Sequence, residues 1–428
     1  MINRDEWPAL LASFGYFFFL LFSYYILRPV RDEMGVRGGV DNLQWLFSAT
    51  FIAMLVASPL FAALAIRFRR AVLLPLTYGL FIACIIGFWF WLQADIAAAW
   101  AARVFFVWLS VFNLFVVSVF WSFMTDIFND RQAARLFGII AAGGSAGAIV
   151  GPGLTGMLAQ LMAPQHLLPI AALALALTLP CIWIIQRNRA AEPGHTQTAS
   201  QQGEALGGTL LEGAQAIARS RYLQGICAFI LLYTTLATFL YFAQAEIVSK
   251  AFSDSGDRTS VFAALDFATN TLTIGLQLLI TARLIQRFGL NRTLALVPVI
   301  VAIGFVCLAA APVLITLVVF QCLRRAGNYA IAKPGREMLF TVVPRMEKYK
   351  AKNIIDTVIY RGGDAVAGWA YTGLAALGLG LTGISWVAVP LAALWAVIGY
   401  RLGQGHSQRA RQEHKEITND TPQTQPLR

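Results

Sequence analysis

Long apolar runs, each near the length that crosses a lipid bilayer, constrain this chain more than any other feature. A helix needs about 20 apolar residues to span the hydrocarbon core. Inside lipid only helices and closed barrels satisfy their own backbone groups. Runs of this length without strand-like alternation select the helix. The spans are expected at roughly 8–30, 44–66, 71–93, 98–126, 137–162, 166–186, 222–248, 260–283, 292–311, 313–342, 353–378 and 382–402. Charged residues make up only 13% of the 428, against about 25% in soluble domains. The expected class is an all-α membrane protein with twelve transmembrane helices.

The first run reads as a retained helix and not as a cleaved leader. Arg28-Pro29-Val30-Arg31-Asp32-Glu33 follows it in place of a small-residue cleavage site. The net charge of +11 points to no nucleic acid. It comes from basic loops on one side of a membrane. Those loops hold Arg67, Arg69, Arg70, Arg131, Arg135, Arg287, Arg292, Arg345, Lys348, Lys350 and Lys352, while the opposite loops hold few cations, among them Arg31, Arg37, Lys250 and Arg258. The asymmetry predicts both termini in the cytoplasm of a bacterial inner membrane. The five cysteines lie apart in apolar segments and the four histidines form no cluster. Free packed thiols are expected, with no metal and no cofactor.

A polar stretch at 187–221, rich in Gln, Gly, Ser and Thr, divides the spans six and six. The expected organisation is a six-helix half at 1–186, a cytoplasmic linker at 187–221, a second half at 222–403 and a disordered tail at 404–428. Within the linker, 208–220 has the pattern of a short amphipathic surface helix. The halves echo one another. Arg67-Phe68-Arg69-Arg70 with Pro75 matches Arg287-Phe288-Gly289 with Arg292 and Pro298, each after the second span of its half. Arg135 with Gly144, Gly147 and Gly151 lines up with Lys352, Arg361, Asp364 and Gly368. The arrangement resembles the major facilitator transporters, which implies two parallel six-helix pseudo-repeats.

Ionisable groups inside lipid cost at least about 2.5–3.5 kcal/mol and are seldom idle. The tenth span holds Arg324, Arg325, Lys333, Arg336 and Glu337. Spacings of four, four and three put Arg325, Tyr329, Lys333 and Arg336 on one face of a regular helix. That face is expected to line a central cavity, reached also by Arg28 and Arg361; ion pairing between helices is the structural alternative. Lys333-Pro334-Gly335 should free backbone carbonyls there. Asp266, Glu337 and Asp364 are expected as coupling groups or counter-ions, with Glu246 a weaker candidate. Arg67, Arg70, Arg135, Arg287, Arg292, Lys350, Lys352 and Asp356 would form a cytoplasmic gate. Arg103 and Arg258 are expected outside the cavity. Gly143-Gly144-Ser145-Ala146-Gly147 with Gly151-Pro152-Gly153 is not a phosphate loop, because the Gly-Lys-Ser/Thr ending is missing. Its spacing suits close helix packing.

Three segments resemble the ATP/ADP translocase family of nucleotide transporters. They are Tyr25-Ile26-Leu27-Arg28-Pro29-Val30-Arg31-Asp32, Phe120-Trp121 through Ala134-Arg135-Leu136-Phe137, and Arg336-Glu337-Met338 with Lys348-Tyr349-Lys350-Ala351-Lys352, Asp356 and Arg361. The resemblance implies a distant, shorter branch with the same fold and an anionic-substrate site. Asp364 stands where that family tends to have lysine, which argues against a full nucleoside triphosphate. The expected function is secondary active transport of a small organic anion, with nucleotides and other phosphorylated metabolites among the candidates. Exchange and proton symport both remain open. The alternative is a membrane receptor or assembly factor that has lost transport. No metal cluster or nucleophile–base pair points to an enzyme. The expected partners are the substrate and the bilayer, with the chain a monomer.

Overall fold

The computed structural model describes residues 6–67, 70–190 and 210–420, excluding the side chains of 413–420, of most positions in 61–72 and of scattered positions elsewhere, Arg70 among them. Among these residues there are helices and no strands. Nine helices are long and apolar enough to cross a membrane. One of them, Ser255–Ala310 at 56 residues, holds two crossings. Gly289, at φ 75° and ψ 166°, breaks it in a conformation that favours glycine. Two further crossings, 314–339 and 345–376, are interrupted by π-turns at Asn328–Ala332 and Ile355–Ile359. The total is consistent with twelve.

Boundaries moved where end signals outweigh hydropathy. The first span, Trp7–Arg37, extends past Pro29, so four charged residues from Arg28 to Glu33 ride on a helix and not in a loop. The fifth, Asp130–Leu158, starts at a reciprocal cap between Asn129 and Gln132. The amphipathic linker helix is present at Leu210–Arg219. The expected linker residues 191–209 and the last eight residues lie outside the described residues. The last helix, Leu381–Asp420, continues through most of the stretch expected to be a disordered tail. After Gly405 that stretch has no Gly or Pro before Thr421, and its Ala, Arg, Gln, Glu and Lys favour helix.

The two halves pack by one plan. In the first, span 1 lies on span 5, span 2 on span 4, and span 3 on span 6. In the second, span 7 lies on span 11, span 8 on span 10, and span 9 on span 12. Between halves, span 2 meets span 11 and span 5 meets span 8. Exchanging the halves maps each of these pairs onto another, as two parallel repeats require.

The contact between spans 1 and 5 shows why the glycines are there. A Cβ on Gly143, Gly147 or Gly151 would lie 2.5, 2.4 or 2.9 Å from the carbonyl oxygens of Phe14, Phe18 and Phe22 respectively. Three glycines at spacing four thus ride on three backbone carbonyls at spacing four. This fixes span 1 tightly and with it the position of Arg28.

Candidate substrate site

Span 1 delivers Arg28 to the boundary between halves, where span 8 offers Asp266 and span 10 offers Arg325. Arg28 Nη1 donates to Asp266 Oδ1 at 2.8 Å, and Arg325 Nη2 donates to the same oxygen at 2.6 Å. Asp266 is 1% exposed. One carboxylate therefore holds a guanidinium from each half, and the trio keeps a net positive charge. Arg325 Nε and Asp266 Oδ2 are buried without a hydrogen-bond partner among the protein groups. Tyr25 donates to Asn270 Oδ1 at 3.5 Å, and Asn270 Nδ2 donates to the Ala148 carbonyl at 2.7 Å.

The tenth span is not a regular helix, and this turns Arg336 away from the face of Arg325. Pro334 has no N–H and its ring crowds the carbonyl four residues back. That carbonyl, on Ala330, accepts instead from the Thr281 hydroxyl at 2.9 Å, and the Tyr329 carbonyl accepts from Gln277 Nε2 at 3.4 Å. The π-turn Asn328–Ala332 adds about one residue to the turn, rotating the remainder of the span by about 100°. Arg325 accordingly faces Asp266, Tyr329 is 37% exposed, and Lys333 is exposed. Arg336 lies further along, 3.7 Å from Glu337 and 3.8 Å from Asp356. Lys352 donates to Glu337 Oε2 at 2.5 Å. The structure therefore brings Arg28 and Arg325 together on Asp266 and gathers Arg336, Glu337, Lys352 and Asp356 in a separate cluster, while Lys333, about seven helical steps from Arg325 once the extra residue is counted, keeps to the side of Arg325. Arg361 stands 3.8 Å from Asp364 on span 11, and Thr238 of span 7 donates to that carboxylate at 3.4 Å.

The contacts joining the halves gather at the face opposite the N-terminus. Arg258 Nε and Nη2 donate to the two oxygens of Glu33, each at 2.7 Å. Tyr241 donates to Asp32 Oδ1 at 2.9 Å. Trp369 packs edge-on to Trp45 and donates to Ser48 Oγ at 3.0 Å. Toward the N-terminal face two of the expected gate residues pair with nearby acids. Arg135 pairs with Glu6 at 3.0 Å, and Lys350 pairs with Glu212 of the linker helix at 2.6 Å. Arg67, Arg287 and Arg292 are exposed. The side chain of Arg70 lies outside the described residues. The halves are clamped at the face opposite the N-terminus.

Sequence reasoning overlooked Glu33, Asp32 and Tyr241 as a clamp. The signal was the density of charge at 28–33 in an otherwise apolar helix. It also passed over Arg324, whose surroundings are on other spans. Arg103 lies outside the cluster, its Nε donating to the Gly38 carbonyl at 2.9 Å.

Two packed helical halves, with a charged centre between them and ion pairs across one face, form the frame of a membrane transporter. The chain belongs to the Major Facilitator Superfamily, whose model matches residues 9–265. It is similar to ADP,ATP carrier protein 1 of Chlamydia trachomatis serovar D, at 20% identity over 428 aligned positions, covering 85% of this chain and 81% of that protein. The crystal structure of the nucleoside transporter NupG shares the fold, with TM-score 0.61 and 14% identity over 94% of this chain and 98% of that one. A POT family transporter in complex with 5-aminolevulinic acid does so too, with TM-score 0.64 and 11% identity over 94% of this chain and 96% of that one. The chain is a transporter and not an enzyme.

Proposed function

We propose that this transporter carries a small organic anion, with phosphorylated metabolites as the first candidates. The observation that carries the reading is surplus positive charge at the boundary between the halves, two of its arginines buried. Arg28, Arg324, Arg325 and Arg361 stand around the centre with Asp266 and Asp364 as the only carboxylates paired to them among the described residues. Buried cations without matching counter-charge are costly. An anion entering between the halves supplies that charge, and arginine forks fit phosphate and carboxylate oxygens. The unpartnered Arg325 Nε offers a further donor. Similarity to ADP,ATP carriers keeps nucleotides among the candidates. Asp364 beside Arg361 lowers the positive charge and favours a smaller anion than a triphosphate.

In this reading Arg28 and Arg325 grip the anion from opposite halves, displacing Asp266. The halves then rock about the site, parting at the Glu33–Arg258 clamp and closing through the basic loops of the N-terminal face. Those loops face the cytoplasm by their charge, in a bacterial inner membrane, with the chain acting as a monomer. Exchange and proton symport are the two modes of coupling. Thermal-shift screening of the purified protein against phosphorylated metabolites, nucleotides, carboxylates and amines tests the assignment, because a ligand of the folded state raises its melting temperature. Stabilisation by phosphorylated anions supports it; stabilisation by amines alone overturns it.

A further inference from the structure

Arg324 and Arg325 are adjacent, so on a helix their side chains leave the axis about 100° apart. Their partners confirm the divergence. Arg325 reaches Asp266 on span 8. Arg324 donates through Nε at 3.0 Å and Nη2 at 2.8 Å to Gln321 Oε1, whose own amide donates to Gln244 on span 7 at 2.5 Å. Arg324 is 7% exposed and makes no ion pair among the described residues. A neutral amide oxygen orients a guanidinium without cancelling its charge. Asn328 Nδ2 donates to Tyr233 at 2.9 Å, and the Tyr233 and Tyr360 rings stand 5.9 Å apart.

From this arrangement we infer that Arg324 forms a second anion subsite, beside Tyr233 and Asn328, which takes a second negative group on the same substrate. The inference rests on the anion-transporter reading and sharpens it. Arg28 and Arg325 hold one anionic head between spans 1, 8 and 10. Arg324 holds another on the side of spans 7 and 11. The preferred substrate is then a two-headed anion, such as a phospho-carboxylate or bisphosphate with a short carbon spacer. A single phosphate ester fills one subsite only. Gln321 and Gln244 are positioning residues that aim the guanidinium.

The test compares dissociation constants of the purified full chain for 3-phosphoglycerate and glycerol 3-phosphate, measured by thermal shift and by calorimetry. A charge-assisted bond to a second head should favour the two-headed probe by about tenfold or more. Arg324→Gln should remove that preference, and Arg324→Lys should restore part of it, since it keeps the charge and loses the fork. Should Arg324→Gln not fold, Arg324→Lys and Gln321→Leu carry the comparison, each narrowing the preference. A wild type with equal affinity for both probes overturns the inference while leaving the anion reading standing. A preference that survives in Arg324→Gln does the same. Binding of neither probe, nor of any other anion in the screen, overturns both.

Discussion

Removing the Glu33 carboxylate should release the face opposite the N-terminus. Glu33 is 0% exposed and holds Arg258 by two bonds of 2.7 Å, across the boundary between halves. Deleting one partner of a buried, hydrogen-bonded charge pair costs about 2–5 kcal/mol. Arg258 keeps the Phe252 and Ser253 carbonyls at 3.1 and 2.8 Å and 14% exposure of its side chain, so the lower part of that range applies. About 2–3 kcal/mol corresponds to a roughly 30- to 140-fold shift toward the state that lacks the clamp. If that state holds about 1% of the wild-type population, Glu33→Gln raises it to roughly 20–60%. Spin labels at Ile96→Cys and Leu377→Cys, in a background lacking the five native cysteines, report the separation of the halves at that face. Glu33→Gln and Arg258→Gln should each add a longer distance, and Glu33→Arg with Arg258→Glu should restore much of the short one. Unchanged distances in both single variants would refute the clamp.

Other consequences are as direct. Asp266→Asn leaves Arg28 and Arg325 facing each other without their carboxylate, so the ligand-free protein should melt lower, by about 3–5 kcal/mol of lost stability. An anionic ligand should then raise its melting temperature by more than in the wild type; a smaller rise contradicts the shared-carboxylate reading. Gly147→Val forces a side chain against the Phe18 carbonyl and should abolish a monodisperse protein, whereas Gly79→Ala, with open space around it, should leave melting unchanged. A fluorescent reporter after Arg428 should be active in the cytoplasm, and a periplasmic phosphatase there should stay silent; the reverse pattern overturns the orientation.

Much of this fold is legible in the sequence because lipid removes alternatives. Each apolar run had to be a helix, and Gly143, Gly147 and Gly151 announced the contact they make with span 1. Pro334 announced freed carbonyls, and Thr281 and Gln277 collect them. The width of the turn that results was not legible, because a π-turn depends on partners from another span. Periodicity alone therefore placed Arg336 in line with Arg325. Helix ends at Asn129 and beyond Gly405 obey capping and propensity, which hydropathy does not register. The Glu33–Arg258 clamp joins residues 225 positions apart, and no local pattern pairs them.

The most direct measurement of the central claim is uptake into proteoliposomes of the strongest anionic ligand from the screen, by the wild type, Arg28→Gln, Arg325→Gln and Arg103→Gln. Loss of uptake at Arg28 and Arg325 by at least about tenfold, with Arg103→Gln close to wild type, is the predicted result. Full uptake by both central variants, or transport of a cation in place of the anion, would contradict it.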